Sequence, residues 1–316
     1  MIWFKPARRL QSDSTSRGRA SPRRWSRLLF TAVLVALVEI AAPDHASVAA
    51  VDPAVQDVSF ATKDGLLTAT FSDQTDDAAL NAAIPALVAK GVEAVSLRGA
   101  PVRNMGLFTR LVSLRTLDIC GTQVRDVTAL ATLTSLRSLN LQFLPVADLS
   151  PLAHLTNLRA LNVGGTQVRD LTPLAGLSNL KELVLGVTKV DDVTPLAGLV
   201  QMTSLDLDNT WVRDLGPLTG MVNLRDLKLN GTRVADVRPV GSMTSLVDLD
   251  LAATGVSDIR PLARLANLRS LNIEGTLVAD VRPLAGLASL RSLAMGGSLV
   301  TDVTPLVGLT NLEIRR

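Results

Sequence analysis

Side chains that ionise, coordinate or attack are the natural start for this 316-residue chain, and few of them stand close together. It has one cysteine, Cys120, and two histidines, His45 and His154. That leaves no room for a disulfide framework, a zinc ligand set or a Cys–His dyad built from neighbouring motifs, since Cys120 and His154 stand at unrelated positions. No glycine-rich phosphate loop follows a strand, since Gly164-Gly165-Thr166 belongs to a recurring turn. No catalytic residue, metal or cofactor is therefore expected, and Cys120 reads as a small residue at a strand end. What the chain does offer is carboxylates. Asp206, Asp208, Asp226, Asp248 and Asp250 recur at related spacings around Lys228, with Glu182 before them and Glu274 after. Three readings are open for such a set: a solvated face partly neutralised by Lys228, a docking site for a basic protein segment, or a calcium site if six or more oxygens converge. Two aromatics also stand out, Phe143 at an outward position and Trp211 where sibling segments carry Gln, Lys or Arg. Exposed Trp is enriched at binding hot spots.

What positions these side chains is a repeat. From residue 89 the sequence matches itself every 22 residues, in nine full copies that begin with Leu111 to Ile119. A degenerate copy with Val92, Val95, Leu97 and Val102 precedes them, and a partial copy, Leu309 to Arg316, follows. The motif is L-x-x-L-x-L-x-x-T-x-V-x-D-[LV]-x-P-L, as in Leu158, Leu161, Val163, Thr166, Val168, Asp170, Leu171, Pro173 and Leu174. Alternation around Leu161 and Val163 predicts a strand with those two inward and Ala160, Asn162 and Gly164 outward. Asp170 to Gly176 predicts one short helical or 3-10 turn, with Asp and Thr to cap it, Pro at a first helical position and Gly at the exit. The Asp that recurs from 126 to 302 is accordingly a structural cap in every copy. One strand and one turn cannot bury their apolar side alone, so the copies stack about 4.8 Å apart into a parallel sheet over a leucine core. Outward positions then form columns, which gather the five aspartates over three adjacent copies. A basic column, Arg115, Arg137, Arg159, Lys181, Arg225, Arg269 and Arg291, runs just before the strands. It could bind an anionic polymer or sulfated glycan, or pair with nearby acids and keep the edge soluble.

This motif resembles the short leucine-rich repeats of the internalin type, whose units run L-x-x-L-x-L-x-x-N-x-[IV]-x-D-[IL]-x-P-L. The resemblance covers roughly residues 89 to 316. It implies an α/β leucine-rich-repeat solenoid, a curved right-handed coil with a parallel β-sheet on the concave face and short helical or 3-10 turns on the convex face. For function it implies a binding surface for another protein. One departure is systematic. Thr122, Thr166, Thr188, Thr210, Thr232, Thr254, Thr276 and Ser298 hold the family's buried Asn position, and Leu144 holds it once. A hydroxyl can still bond a neighbouring backbone group but offers fewer bonds than an amide.

The ends differ from the repeat. Residues 1–50 carry a net charge of +5, so the rest of the chain is slightly acidic although the total is +3. The high overall pI thus belongs to the first segment, and a nucleic-acid role loses its footing. Cations ending at Arg27, an apolar run from Leu28 to Val38 and the small residues Ala46 to Ala50 read as an export leader, too short to span a bilayer. Arg23-Arg24 invites a twin-arginine reading, but Trp25-Ser26-Arg27 does not continue it. In residues 51–88, Val58 to Phe60, Asp64-Gly65 and Leu66 to Phe71 predict a hairpin. Thr75-Asp76-Asp77 opens a helix through Leu80, Ile84 and Leu87 that stops near Gly91, with Pro85 inside it. This segment is the natural cap for residues 89–316. The partial last copy suggests either a polar edge made by Glu313, Arg315 and Arg316 or self-association through that end. The sequence as a whole predicts an exported, periplasmic or secreted, non-enzymatic recognition protein. A structural subunit and a secreted effector are the alternatives.

Overall fold

The computed structural model describes residues 58–316. The leader and the start of the segment after it lie outside the described residues. Strand β1 (Val58–Lys63) pairs antiparallel with β2 (Leu66–Phe71). Asp64 and Gly65 turn the hairpin, both with positive φ (51° and 73°), as a two-residue loop between twisted strands requires. Helix α1 (Asp77–Ala89) follows, its first turn held by the Asp76 carboxylate, which accepts the Ala79 N–H at 2.8 Å. Pro85 lies on its exposed side, and the buried Ile84 and Leu87 keep the helix packed through that interruption.

Each later coil contributes one three-residue strand: β3 (Ala94–Ser96), β4 (Thr116–Asp118), β5 (Ser138–Asn140), β6 (Ala160–Asn162), β7 (Glu182–Val184), β8 (Ser204–Asp206), β9 (Asp226–Lys228), β10 (Asp248–Asp250), β11 (Ser270–Asn272), β12 (Ser292–Ala294) and β13 (Glu313–Arg315). The thirteen strands form one sheet in sequence order, parallel from β2 onward. Identical positions pair, so Leu139, Leu161, Leu183, Leu205 and Leu227 line up across five strands. Between strands the chain makes one 3-10 turn, such as Thr172–Leu174 or Thr194–Leu196. Within one coil Leu158, Leu161, Val163, Val168, Leu171 and Leu174 are all buried. Each such side chain contributes about 1.5–3 kcal/mol relative to exposure. Among the described residues no helix is long and apolar enough to cross a membrane.

Three local devices repeat along the stack. At Asp126, Asp148, Asp170, Asp192, Asp214, Asp236, Asp258, Asp280 and Asp302 the carboxylate accepts the backbone N–H two residues on, at 2.8 or 2.9 Å. These are the predicted caps. Proline stands at the second residue of the turn rather than the first, as in Thr172-Pro173-Leu174, where its missing N–H costs nothing because the first N–H groups of a helix have no internal partner. The hydroxyls that replace the family's amide donate to the carbonyl three residues back, at 2.6 Å for Thr166 and 2.7 Å for Thr210. They tie each coil to itself. The last coil departs from the period: Leu293 pairs with Ile314, so β13 is one residue short of the 22-residue step. The slip turns Ile314 toward the core, where strict spacing would have turned Arg315.

Candidate functional site

The middle residue of each strand is a buried leucine, which leaves the first and third residues for the other side of the sheet. The third-residue column does not stand outward as alternation predicts. The side-chain oxygens of Asp118, Asn140, Asn162, Asp206, Asp250 and Asn272 fold back onto the N–H two residues later, at 2.8–3.1 Å. Six of the strands are thus closed by an Asx turn. Asp118, Asn140, Asn162 and Asp206 are consequently buried, Asp206 to 8% exposure.

Lys228 interrupts this column, and the acidic cluster assembles around the interruption. Having no acceptor of its own to offer, its coil takes one from the coil before: Asp208 Oδ1 accepts the Asn230 N–H at 2.8 Å. The Lys228 ammonium lies 3.5 Å from Asp206 Oδ2. Asp226 accepts the Ser204 hydroxyl at 3.2 Å and pairs in register with the exposed Asp248. Asp250 lies opposite Lys228. Five carboxylates on β8, β9, β10 and the loop after β8 are thus gathered around the Lys228 ammonium, with the Arg269 guanidinium also acting on Asp248. Burial pushes the Asp208 carboxyl up to about 7, reinforced by the charges of Asp206 and Asp250 and opposed by the Asn230 N–H and Lys228. Burial likewise raises Asp226 to about 6, with Lys228 opposing and Asp248 and Asp206 adding. Asp248 and Asp250 are raised in the same direction, again chiefly by burial. An arriving cation would favour the ionised forms of these carboxyls.

The remaining candidates lie around it. Glu182 sits one strand away, its carboxyl raised by burial and its Oε2 buried without a hydrogen-bond partner. Glu274 is exposed beyond β11, its N–H bonded to Asn272. Trp211 is 44% exposed under the Arg233 guanidinium, 5.5 Å from the ring centre. Phe143, 62% exposed, is three coils away from Trp211, so the two aromatics are not one patch.

Phe143 belongs to a column the sequence reading did not isolate. Just past its strand each coil has one residue with positive φ, glycine at 121, 165, 231, 275 and 297. Phe143 (63°), Val187 (60°), Asn209 (55°) and Ala253 (52°) hold that conformation without being glycine. The Phe143 ring lies directly on Gly165, where a Cβ would collide with it. The signal was available, since these four are the places where the recurring turn glycine is lost. Cys120 has its thiol pushed up by burial and by Asp118, which leaves it a poor nucleophile. Among the described residues no group of His, Cys, Asp or Glu is arranged to hold a metal ion.

An in-register parallel sheet with one 3-10 turn per coil decides the architecture. It is a leucine-rich-repeat solenoid. Among solved structures of this fold, the internalin InlF from Listeria monocytogenes matches with a TM-score of 0.67 and 24% identity, over 79% of this chain and 85% of that one. The leucine-rich-repeat chain also matches internalin C2 of the same organism, with a TM-score of 0.50 and 28% identity, over 65% and 79%. A plant peptide hormone receptor solved in complex with RGF2 gives 0.59 and 14%, over 70% of this chain and 43% of that one. A scan of family models and a search of curated proteins returned no match.

Proposed function

We propose that this leucine-rich-repeat chain is an exported, non-catalytic recognition protein whose strand face docks a basic segment of another protein. The observation that carries the reading is the crowding of five carboxylates, most of them half-buried, around the single ammonium of Lys228. Carboxylates already withdrawn from water gain more from an arriving cation than solvated ones do, and such complementarity sets register and on-rate. Export rests on the order of cations, apolar run and small residues from Lys5 to Ala50. The β1–β2 hairpin and α1 act as the cap of the first coil, since β2 pairs with β3 and Leu80, Ile84 and Leu87 are buried. Binding without catalysis agrees with the raised thiol of Cys120 and the exposed position of His154.

The test uses variants that leave the Asx turns intact. Asp206 and Asp250 hold backbone groups, so the substitutions are Asp226→Asn and Asp248→Asn together. Fluorescence anisotropy with a labelled arginine- and lysine-rich decapeptide should show affinity falling about tenfold in the double variant. In the parent, affinity should rise from pH 5.5 to pH 8 as Asp226 and Asp208 ionise. A peptide held equally by both proteins, or by neither, overturns the reading.

A further inference from the structure

The half of each coil that runs from the 3-10 turn to the strand has the opposite charge character. Residues 128–137, 150–159, 172–181, 194–203 and 216–225 contain no Asp or Glu. Arg137, Arg159 and Lys181 close three consecutive segments of this set, each just before its strand, and all three are exposed. The Arg159 N–H donates to the Arg137 carbonyl at 2.7 Å and the Lys181 N–H to the Arg159 carbonyl at 2.8 Å. The three cations therefore repeat at the strand spacing, about 4.8 Å. Like charges side by side on neighbouring strands repel. Some cations elsewhere are answered by carboxylates, Arg115 by Glu93 at 3.0 Å and Arg169 by Asp191 at 2.7 Å. Arg137, Arg159 and Lys181 make no ion pair among the described residues, Lys181 not even with the adjacent Glu182.

Beside this row the packing opens. Asn157, Asn179, Asn223 and Asn267 form a ladder in which each side-chain amide donates to the carbonyl 23 residues back, at 2.9–3.0 Å. Gln201 stands where the ladder needs Asn and makes no such bond to Ser178. At that break lies a cleft of about 470 Å3 lined by Arg159, Lys181, Ser178, Asn179 and Gln201.

We propose that this edge binds a linear acidic polysaccharide, its carboxylate or sulfate groups laid along Arg137, Arg159 and Lys181 and one sugar seated in the cleft. The cation spacing is close to the length of one pyranose unit, so successive charged sugars meet successive coils. Guanidinium groups bind carboxylate and sulfate bidentately, and the amides and hydroxyl in the cleft suit sugar hydroxyls. These segments contain no Phe or Trp on which unpaired bases could stack, which disfavours a single-stranded nucleic acid. The surface is separate from the acidic face and stands independently of the docking reading.

Anisotropy of the full chain with a labelled heparin octasaccharide tests the assignment. Arg159→Gln with Lys181→Gln should weaken binding about tenfold, and Gln201→Ala, which removes a cleft amide and leaves the charges in place, about threefold. Arg260→Gln with Arg282→Gln removes the same charge from arginines already paired with Asp258 and Asp280, and should change affinity less than about twofold. Unfolding midpoints recorded on every variant keep misfolding apart from lost contacts. The proposal is overturned if the control pair weakens binding as much as the cleft pair, if the octasaccharide does not bind, or if an oligodeoxynucleotide of equal charge binds as tightly.

Discussion

Asp206 and Asp226 sit on adjacent strands at neighbouring positions, yet they differ in what holds them. Asp206 is committed to the Asp208 N–H and the Lys228 ammonium, whereas Asp226 has only the Ser204 hydroxyl. Their environment gives stability a definite pH dependence. A carboxyl whose folded pKa lies above the unfolded value of about 3.9 keeps its proton in the folded state after the unfolded chain has released it. Asp208 and Asp226, at about 7 and about 6, therefore favour the folded chain most at low pH, and that contribution is lost as pH rises toward 7. Asp258 works the other way, held down to about 2 by its hydrogen bonds from Arg260, so its contribution fades as pH falls below the usual carboxylate range and is gone only near that value. The melting temperature should accordingly be higher at pH 5 than at pH 8, and Asp208→Asn, which keeps the acceptor for Asn230, should flatten the difference. A melting temperature that climbs over that interval would contradict the assignment. At Val187 the side chain is 62% exposed on a left-handed backbone, a conformation that costs a non-glycine residue about 1–2 kcal/mol. Val187→Gly should thus raise stability by about 1 kcal/mol in urea unfolding, after the larger chain entropy of glycine is deducted. At this scale the sequence was only partly readable. The capping aspartates could be recognised from position alone, but the buried Asx column could not, because alternation says which way a Cβ points and not where a flexible polar tip bonds.

Elements were far more legible, since each 22-residue unit carries its strand, turn and caps in one consistent pattern. The hairpin turn at Asp64-Gly65 and the helix start at Asp76 were also plain, both being set by local backbone chemistry. What the pattern missed is the slip at β13, where the preference for burying Ile314 over Arg315 outweighs the period. Strands this short have little individual stability, and the leucine row beneath them supplies the cohesion. Leu205, fully buried at the centre of β8, is a direct probe of that. Leu205→Asp should cost more than about 3 kcal/mol by burying a charge without a partner, and should split the thermal transition into two because each coil bonds only its neighbours. A single transition at the parental temperature would show that the core is not shared in this way.

At the scale of the molecule, parallel strands in sequence order from β2 onward place their entrances along one rim and their exits along the other. The basic row follows the entrance rim, the strained positive-φ residues follow the exit rim, and the acidic cluster lies on the sheet between them. Two chemically opposite surfaces can therefore be occupied together without competing for the same side chains. The same one-after-another pairing has a mechanical consequence. Under tension applied at the two ends, the load passes through the rungs in series, and the weakest terminal rung gives way first while those behind it stay closed. Each rung between β3 and β12 that yields frees 22 residues, about 75 Å of taut polypeptide, so the ribbon lengthens in near-even increments like a ratchet and not in one collapse.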